Sequence, residues 1–139
     1  GTSMYDELIA GRVYFGGADD AEQVVREKEV DKVIDVRVNG RLEQVDYTYI
    51  HKPIADESEH IADSIKASVE EVIKAYEAGE KVYFHCGSGG GRAGVMAVAT
   101  LIELGLAKSL DEAEAMAKQA RPKVNIRPNM REALETLYK

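Results

Sequence analysis

The chain has 139 residues, a formal net charge of −7 at pH 7 and a pI near 5.0. This length suits one domain, and the shares of hydrophobic (45%) and charged (31%) residues are ordinary for a globular protein. An acidic surface repels polyanions, so the composition argues against nucleic acid and anionic membranes as partners. Any site for an anion must therefore be local.

The N-terminus and the cysteine content suggest where the protein works. Residues 1–3 precede Met4 and look like the remnant of an expression tag, so we expect a single domain over residues 4–139. A single cysteine excludes an internal disulfide and favours a reducing compartment. No apolar stretch approaches the ~18 residues of a membrane helix. We expect a cytoplasmic protein.

The first half of the chain alternates between β-rich runs and helical patterns. It predicts strands at residues 12–15, 32–37 and 47–50 and helices at residues 18–28 and 58–78. The second helix has apolar residues at every third or fourth position and ends at Gly79, so it should be amphipathic. Asn39 and Gly40 give a turn signal between the second and third strands.

The second half continues the alternation and then turns helical. It predicts a strand at residues 81–85 and helices at residues 92–104, 109–121 and 128–138. The first of these helices is apolar on all sides and should be central, whereas Ser109 and Glu112 form a capping box before the second. The order predicts an α/β fold, a three-layer sandwich with a central mostly parallel sheet flanked by helices.

The segment His-Cys-Gly-Ser-Gly-Gly-Gly-Arg, residues 85–92, connects a predicted buried strand to a predicted buried helix. In such folds ligands bind at the carboxyl ends of strands, where the next helix presents unpaired amides. Glycines let successive N–H groups point inward around an anion. We call residues 87–91 the glycine loop and expect it to bind phosphate or a similar oxyanion, which Arg92 would grip with its planar fork.

Cys86 lies at the base of this loop, where inward amides, a helix N-terminus and Arg92 would all favour the thiolate. A lone cysteine is more often an inert buried residue, but a cysteine, five residues rich in glycine and an arginine at a strand-to-helix junction form a specific combination. A thiolate held against a bound phosphorus is a competent nucleophile. No Gly-Lys-Ser/Thr follows the glycines, which excludes a Walker-type nucleotide loop.

This segment resembles the HCx5R signature of cysteine-dependent protein tyrosine and dual-specificity phosphatases. The resemblance extends to RVYFGGADDA with KVIDVR, to YIHKPIADES, and to SLDEAEAMAK with RPKVNIRPNMREAL. It implies that Cys86 forms a phosphocysteine, that His85 supports the loop, and that neither a metal nor another cofactor is needed. The implied phosphate-binding residues are Gly87, Ser88, Gly89, Gly90, Gly91 and Arg92. The small size favours the compact, dual-specificity-like branch.

The leaving oxygen needs a proton, and Asp56 is our candidate for the general acid. It follows a predicted strand, precedes a helix and matches the position where the resembled family carries its acid. It could instead cap that helix, because Asp56 and Glu59 have capping-box spacing. Glu57 and Asp63 are the rival acids.

Other polar residues near these elements have a structural interpretation that is at least as good. Asp35 and Arg37 end a strand on the presumed active side, but an ion pair would explain them equally well. His51, Lys52 and His60 flank the acid segment and are better interpreted as surface residues. The spacing of these histidines and the nearby carboxylates suggests no metal site.

One residue departs from the family pattern. The position after the loop arginine usually holds Ser or Thr, whose hydroxyl stabilises the thiolate when the phosphocysteine is hydrolysed, but here it is Ala93. Losing a hydrogen bond to a charged group costs ~1.5–3 kcal/mol, so this step should be slower by roughly one to two orders of magnitude. Ser88 could partly substitute.

The sequence thus predicts hydrolysis of phosphate monoesters, with phosphoproteins and phosphotyrosine as first choice of substrate. Three other hypotheses stay open at this point. A phosphatase for a small phosphate ester such as an inositol phosphate is one, although the loop lacks the lysines that favour highly phosphorylated ligands. A weakly active phosphate-binding pseudophosphatase and a rhodanese-like sulfur carrier are the others.

Overall fold

The computed structural model describes residues 4–139, so the predicted tag at residues 1–3 lies outside the described residues. Five strands and five helices follow in chain order. The strands are β1 (Asp6–Ile9), β2 (Val13–Gly17), β3 (Lys32–Asp35), β4 (Tyr49–His51) and β5 (Val82–Cys86). The helices are α1 (Ala21–Lys28), α2 (Ser58–Glu77), α3 (Arg92–Glu103), α4 (Leu110–Ala120) and α5 (Pro128–Tyr138).

The strands form one sheet in the order β1-β2-β5-β3-β4. All neighbours are parallel except β1, which pairs antiparallel with β2. Helix α1 lies in the connection from β2 to β3 and α2 in the connection from β4 to β5, whereas residues 36–48 connect the parallel pair β3 and β4 without a helix. The last of the central strands, β5, ends at Cys86 and aligns it with Gly17 of β2. The central strand of the sheet therefore delivers the cysteine to its carboxyl edge.

The alternation of side chains along the strands divides the core into two layers. Phe15 and Phe84 pack beneath α2 to α5, whereas Tyr14 and Tyr83 point to the other face, against α1. Both layers are buried, which explains why β5 is apolar at successive positions rather than at every second one. The predicted three-layer sandwich with a mostly parallel sheet is confirmed.

Helix α3 is the central helix, as predicted: it is buried without interruption from Ala93 to Leu101. The capping box before α4 also forms, since the Ser109 hydroxyl accepts a hydrogen bond from the Glu112 amide at 3.1 Å. No helix within residues 4–139 is both long and apolar enough to cross a membrane.

Strand β1 is a short edge strand that the sequence pattern does not predict, and it forms an antiparallel hairpin with β2. Its four residues include two acids and only partly buried side chains, so neither alternation nor β-propensity marks it. The turn depends on Gly11, whose φ of +71° favours glycine. The helix predicted at residues 18–28 begins at Ala21 instead, after a turn of 3₁₀-helix over Ala18–Asp20.

Candidate active site

Cys86 ends β5 at the carboxyl edge of the sheet, and the glycine loop joins it to the first residue of α3, Arg92. The sulfur is almost fully buried, with 6% of the residue exposed. Its Sγ accepts a hydrogen bond from the Gly89 amide at 3.2 Å. The loop thus turns back over the thiol and aims at least one N–H group at it.

The orientation of that amide is set from outside the loop by Arg121. Its Nη2 donates to the Ser88 carbonyl and its Nε to the Gly89 carbonyl, both at 2.9 Å. In a planar trans peptide the C=O and N–H point in opposite directions. Because Arg121 holds the Ser88 carbonyl outward, the Gly89 N–H points inward. The hydrogen bond from Arg121 to the Gly89 carbonyl orients the Gly90 N–H inward in the same way.

Two further loop carbonyls are held in the same way by backbone donors. The Gly87 carbonyl accepts from the Ala18 amide at 3.1 Å, and the Gly90 carbonyl accepts from the Asn125 amide at 2.8 Å. The amides that follow them in the chain must then also face the interior of the loop. The anion nest that the glycines predict is thus a consequence of four anchored carbonyls.

Only part of the glycine content is required by this geometry. Gly89 has a φ of +85°, and a Cβ there would lie 2.5 Å from the backbone carbon of Gly16. At Gly90 a Cβ would lie 2.7 Å from the Lys123 carbonyl oxygen. Gly87 and Gly91, by contrast, have no atom within 4 Å of an added Cβ. Close approach of the flanking backbone therefore explains two of the four glycines.

His85 supports the cysteine from within the core. Its Nδ1 lies 3.1 Å from the Cys86 carbonyl oxygen, which can only accept, so Nδ1 carries the proton. Burial lowers the pKa of His85. The charge of Asp35, whose Oδ1 is 3.8 Å from Nδ1, acts to raise this pKa but does not outweigh burial. A neutral ring is consistent with the buried Nε2, for which the described residues offer no partner.

Asp35 is fully buried and belongs to a polar network behind the loop. Arg37 pairs with it through Nε (3.0 Å) and Nη2 (2.8 Å), and the Tyr49 hydroxyl donates to Oδ2 at 2.6 Å. Burial acts to raise the pKa of Asp35, but the hydrogen bonds from Arg37 and Tyr49 outweigh it and lower the pKa. The ion pair considered from the sequence exists, and Arg37 also reaches the cavity described below.

Arg92 projects from the start of α3 toward the segment before α2. Its Nε donates to the Ile54 carbonyl at 2.8 Å, and its Nη2 is paired with the Asp56 carboxylate. The Asp56 side chain is 71% exposed. The predicted clamp and the predicted acid are therefore neighbours.

The two residues before Asp56 are hydrogen-bonded to neighbouring elements. Ile54 is fully buried, and its amide donates to the Val36 carbonyl at 3.1 Å. The Ala55 amide donates to the Ser64 hydroxyl at 2.9 Å. The capping role that competed with catalysis is not found, because Glu57 is the N-cap residue of α2 and no side chain caps that helix.

A cavity of about 510 Å³ opens above the sulfur. Its walls come from four separate segments of the chain. They are Arg37, Val38 and Asn39 after β3; Asp56 before α2; Cys86, Gly87, Ser88, Gly91 and Arg92 from the glycine loop and its flanks; and Arg127 and Met130 at the start of α5. Sequence reasoning did not assign Val38, Asn39, Arg127 or Met130 to the site, because only the fold brings their segments to this edge.

Several sequence candidates lie elsewhere. Asp63, a rival acid, lines a separate groove between α2 and α5. Lys52 and His51 do not line the cavity either: Lys52 pairs with Glu71 at 3.7 Å, and His51 contacts the Arg37 carbonyl. His60 is exposed and shares the surface with two glutamates, Glu57 and Glu59, whose ligand atoms lie within 4.8 Å of its own; we assign no ion to this exposed cluster.

Ala93 is fully buried one residue after the loop arginine. Within the described chain, the hydrogen bond recorded for the Cys86 sulfur comes from Gly89 alone, and the exposed Ser88 makes no such bond. A methyl group cannot donate one. The hydroxyl expected at this position in the resembled family thus has no substitute among the described residues.

Comparison with known proteins identifies the family. The model of the dual specificity phosphatase catalytic domain matches residues 13–139. The chain therefore belongs to this family, and it is a protein-tyrosine-phosphatase-like hydrolase. The resemblance inferred from the sequence is confirmed. Among curated proteins, a sequence comparison found no match.

Solved structures share the fold at low sequence identity. Human DUSP28 is 20% identical with a TM-score of 0.83, covering 99% of this chain and 95% of its own. Tk-PTP in the active form is 23% identical with a TM-score of 0.81, covering 97% and 96%. PTPMT1 in complex with PI(5)P is 20% identical with a TM-score of 0.78, covering 97% and 94%.

Proposed function

We propose that this protein hydrolyses phosphate monoesters of phosphoproteins, phosphotyrosine among them, through a phosphocysteine on Cys86. The observation that carries the proposal is the placement of the Cys86 sulfur under the glycine loop, at the base of a cavity that Arg92 and Asp56 also line. A thiolate, an anion-binding loop and a carboxyl group are the three parts that such a reaction requires. We further propose a cytoplasmic location, because a nucleophilic thiol persists in a reducing compartment.

The first step transfers the phosphoryl group. The thiolate of Cys86 attacks phosphorus, an S–P bond forms, and the ester P–O bond breaks with its electron pair going to the leaving oxygen. Protonated Asp56 donates its proton to that oxygen. The inward amides of the loop and the Arg92 fork hold the equatorial oxygens and stabilise their charge.

The second step returns the enzyme to its starting state. Ionised Asp56 takes a proton from water, the water oxygen attacks phosphorus, and the S–P bond breaks to release the thiolate and inorganic phosphate. Ala93 offers no hydroxyl to the departing thiolate. We therefore propose that this step limits turnover and that the phosphocysteine accumulates.

A phosphatase for a phosphorylated inositol is the second candidate. A structure with this fold, PTPMT1, has been solved in complex with PI(5)P. The cavity lining weighs against several phosphates on one ligand. It contains no lysine, Arg37 already pairs with buried Asp35, and the proposed mechanism uses Arg92 for the reacting phosphate, which leaves Arg127 alone among the lining arginines for any other phosphate. Turnover of phosphotyrosine peptides and of inositol phosphates, compared on one preparation, separates the two candidates.

The central experiment measures hydrolysis of two aryl phosphates with chelator present, one with a good leaving group (p-nitrophenyl) and one with a poor one (phenyl). Cys86→Ser should abolish both activities. Asp56→Asn should lower kcat by about 10²–10⁴-fold for the poor leaving group and by less for the good one, because only the poor one needs its proton in the transition state. Asp63→Asn, which removes a carboxylate outside the cavity, is the matched control.

Each outcome bears on one part of the proposal. Undiminished activity of Cys86→Ser would overturn it, and so would ³²P that fails to be trapped on the wild-type protein after an acid quench. Equal losses with both leaving groups in Asp56→Asn would remove the general-acid role from that residue. Phosphate binding without any turnover by the wild type would instead make the chain a pseudophosphatase.

A further inference from the structure

The cavity extends well beyond the part needed for a phosphoryl group. Its volume of about 510 Å³ falls among the ~300–1,000 Å³ typical of sites that hold a whole small ligand. Val38 and Met130 are the apolar side chains of the lining, and we call them the apolar wall. Met130 lies beside Arg127 at the start of α5, because its amide donates to the Arg127 carbonyl at 3.0 Å.

The charges around the cavity are not balanced. Arg37 is neutralised by buried Asp35, and Arg92 is paired with Asp56. Arg127 has neither an ion pair nor a side-chain hydrogen bond within residues 4–139. Asp56 is the only acid in the lining, so the wall near Arg127 carries one uncompensated positive charge in a protein whose net charge is −7.

We propose that Arg127 binds a second anionic group of the substrate, and that this group is an acidic side chain next to the phosphorylated residue of a peptide. The inference rests on the phosphatase function proposed above and names the class of substrate. A guanidinium fork matches a carboxylate with two parallel hydrogen bonds. An apolar wall beside it accommodates the ring or methylenes of the phosphorylated residue.

A peptide fits these features better than a multiply phosphorylated sugar. One free cation beside an apolar wall suits one extra carboxylate and some hydrocarbon. A ligand with several phosphates would need several free cations, and Arg127 is the only one among the cavity residues. The negative net charge of the protein also disfavours the long-range attraction of polyanions. A close pair between Arg127 and one carboxylate is little affected by that net charge, because charges farther away than the ~8 Å screening length are largely screened at physiological salt.

The test uses three phosphotyrosine peptides of one length that carry Glu, Ala or Lys on both sides of the phosphotyrosine. For the wild type, kcat/KM should fall in that order, with the difference mostly in KM and smaller at high salt. The specificity ratio is kcat/KM for the Glu peptide divided by kcat/KM for the Lys peptide. Arg127→Glu should lower this ratio by about 3- to 20-fold, the range for gaining or losing a partly exposed charge pair. Arg127→Ala should give an intermediate ratio.

Arg26→Glu is the matched control, since it makes the same charge change at an exposed arginine of α1 that does not line the cavity. Its ratio should equal that of the wild type. Because the readout is a ratio on one protein, a variant with a general loss of activity still reports on specificity. An unchanged ratio in Arg127→Glu would overturn the inference, and faster Arg127-dependent turnover of an inositol bisphosphate than of any peptide would overturn the peptide assignment. Wild-type hydrolysis of p-nitrophenyl phosphate reports separately on the proposed function.

Discussion

Arg121 joins the glycine loop to the edge of the sheet, and its removal should damage both stability and catalysis. The residue is 5% exposed. Besides the Ser88 and Gly89 carbonyls, its guanidinium binds the Met4 carbonyl and the Asp6 carboxylate, each at 2.8 Å. Four charge-assisted hydrogen bonds thus meet at one buried side chain.

The cost of Arg121→Ala follows from that arrangement. Removal of Arg121 leaves the carbonyls of Met4, Ser88 and Gly89 without this donor, and each buried polar group left unsatisfied costs about 1–3 kcal/mol. The Asp6 side chain is 35% exposed and stays partly hydrated, so the lost ion pair adds little. Because hydrogen bonds in one network are not additive, we expect a total loss of about 3–5 kcal/mol. For a chain of this size this corresponds to a fall in Tm of roughly 10–20 °C. The Ser88 and Gly89 carbonyls also lose the hydrogen bonds that orient the following amides toward the interior of the loop. We therefore expect kcat to fall by about one to three orders of magnitude, as when an oxyanion-hole donor is lost.

The assay compares Arg121→Ala with Asp6→Asn at a temperature where circular dichroism shows both variants folded. Asp6→Asn removes the ion pair but leaves Arg121 bound to the loop, so it should lose stability while keeping near wild-type turnover of aryl phosphate. Inhibition by inorganic phosphate gives a second readout, because an anion nest with misdirected amides should bind it more weakly. Wild-type phosphate affinity and kcat in folded Arg121→Ala would refute the assigned role.

Three further predictions follow from single residues. Gly89→Ala should cost about 2–5 kcal/mol in denaturant unfolding, since it combines a positive φ with a clash against Gly16; a loss under 1 kcal/mol would contradict the geometry. Ala93→Ser should remove the pre-steady-state burst with an aryl phosphate and raise kcat by roughly 10- to 100-fold; the absence of a burst in the wild type would show that phosphocysteine hydrolysis is not slow. Burial lowers the pKa of His85 in the folded state, so as the pH falls the unfolded chain protonates this histidine before the folded chain does. The free energy of unfolding should therefore be unaffected by His85 above about pH 6.5 and should decrease as the pH drops below that value. His85→Asn should flatten the pH dependence of Tm between pH 7 and 5, and an unchanged slope would place the effect elsewhere.

Much of the architecture is encoded locally. The strand before the cysteine and the helix after it are recognisable because their apolar runs are long and are separated by glycines, and both form as predicted. The capping box at Ser109 depends on residues three apart and also forms. Strand β1 was missed because its formation depends on pairing with β2 rather than on its own residues.

The family, the fold class and the segment that carries Cys86 and Arg92 can be predicted from the amino-acid sequence alone, because they depend on residue types at short, fixed spacing. The surroundings of that segment, by contrast, depend on how the chain folds. Arg121 is 32 residues from Gly89, and its fork can be recognised as the support of the loop only once the chain brings the two together. The pairing of Asp56 with Arg92 and the free charge of Arg127 likewise depend on which distant segments meet at the carboxyl edge of the sheet.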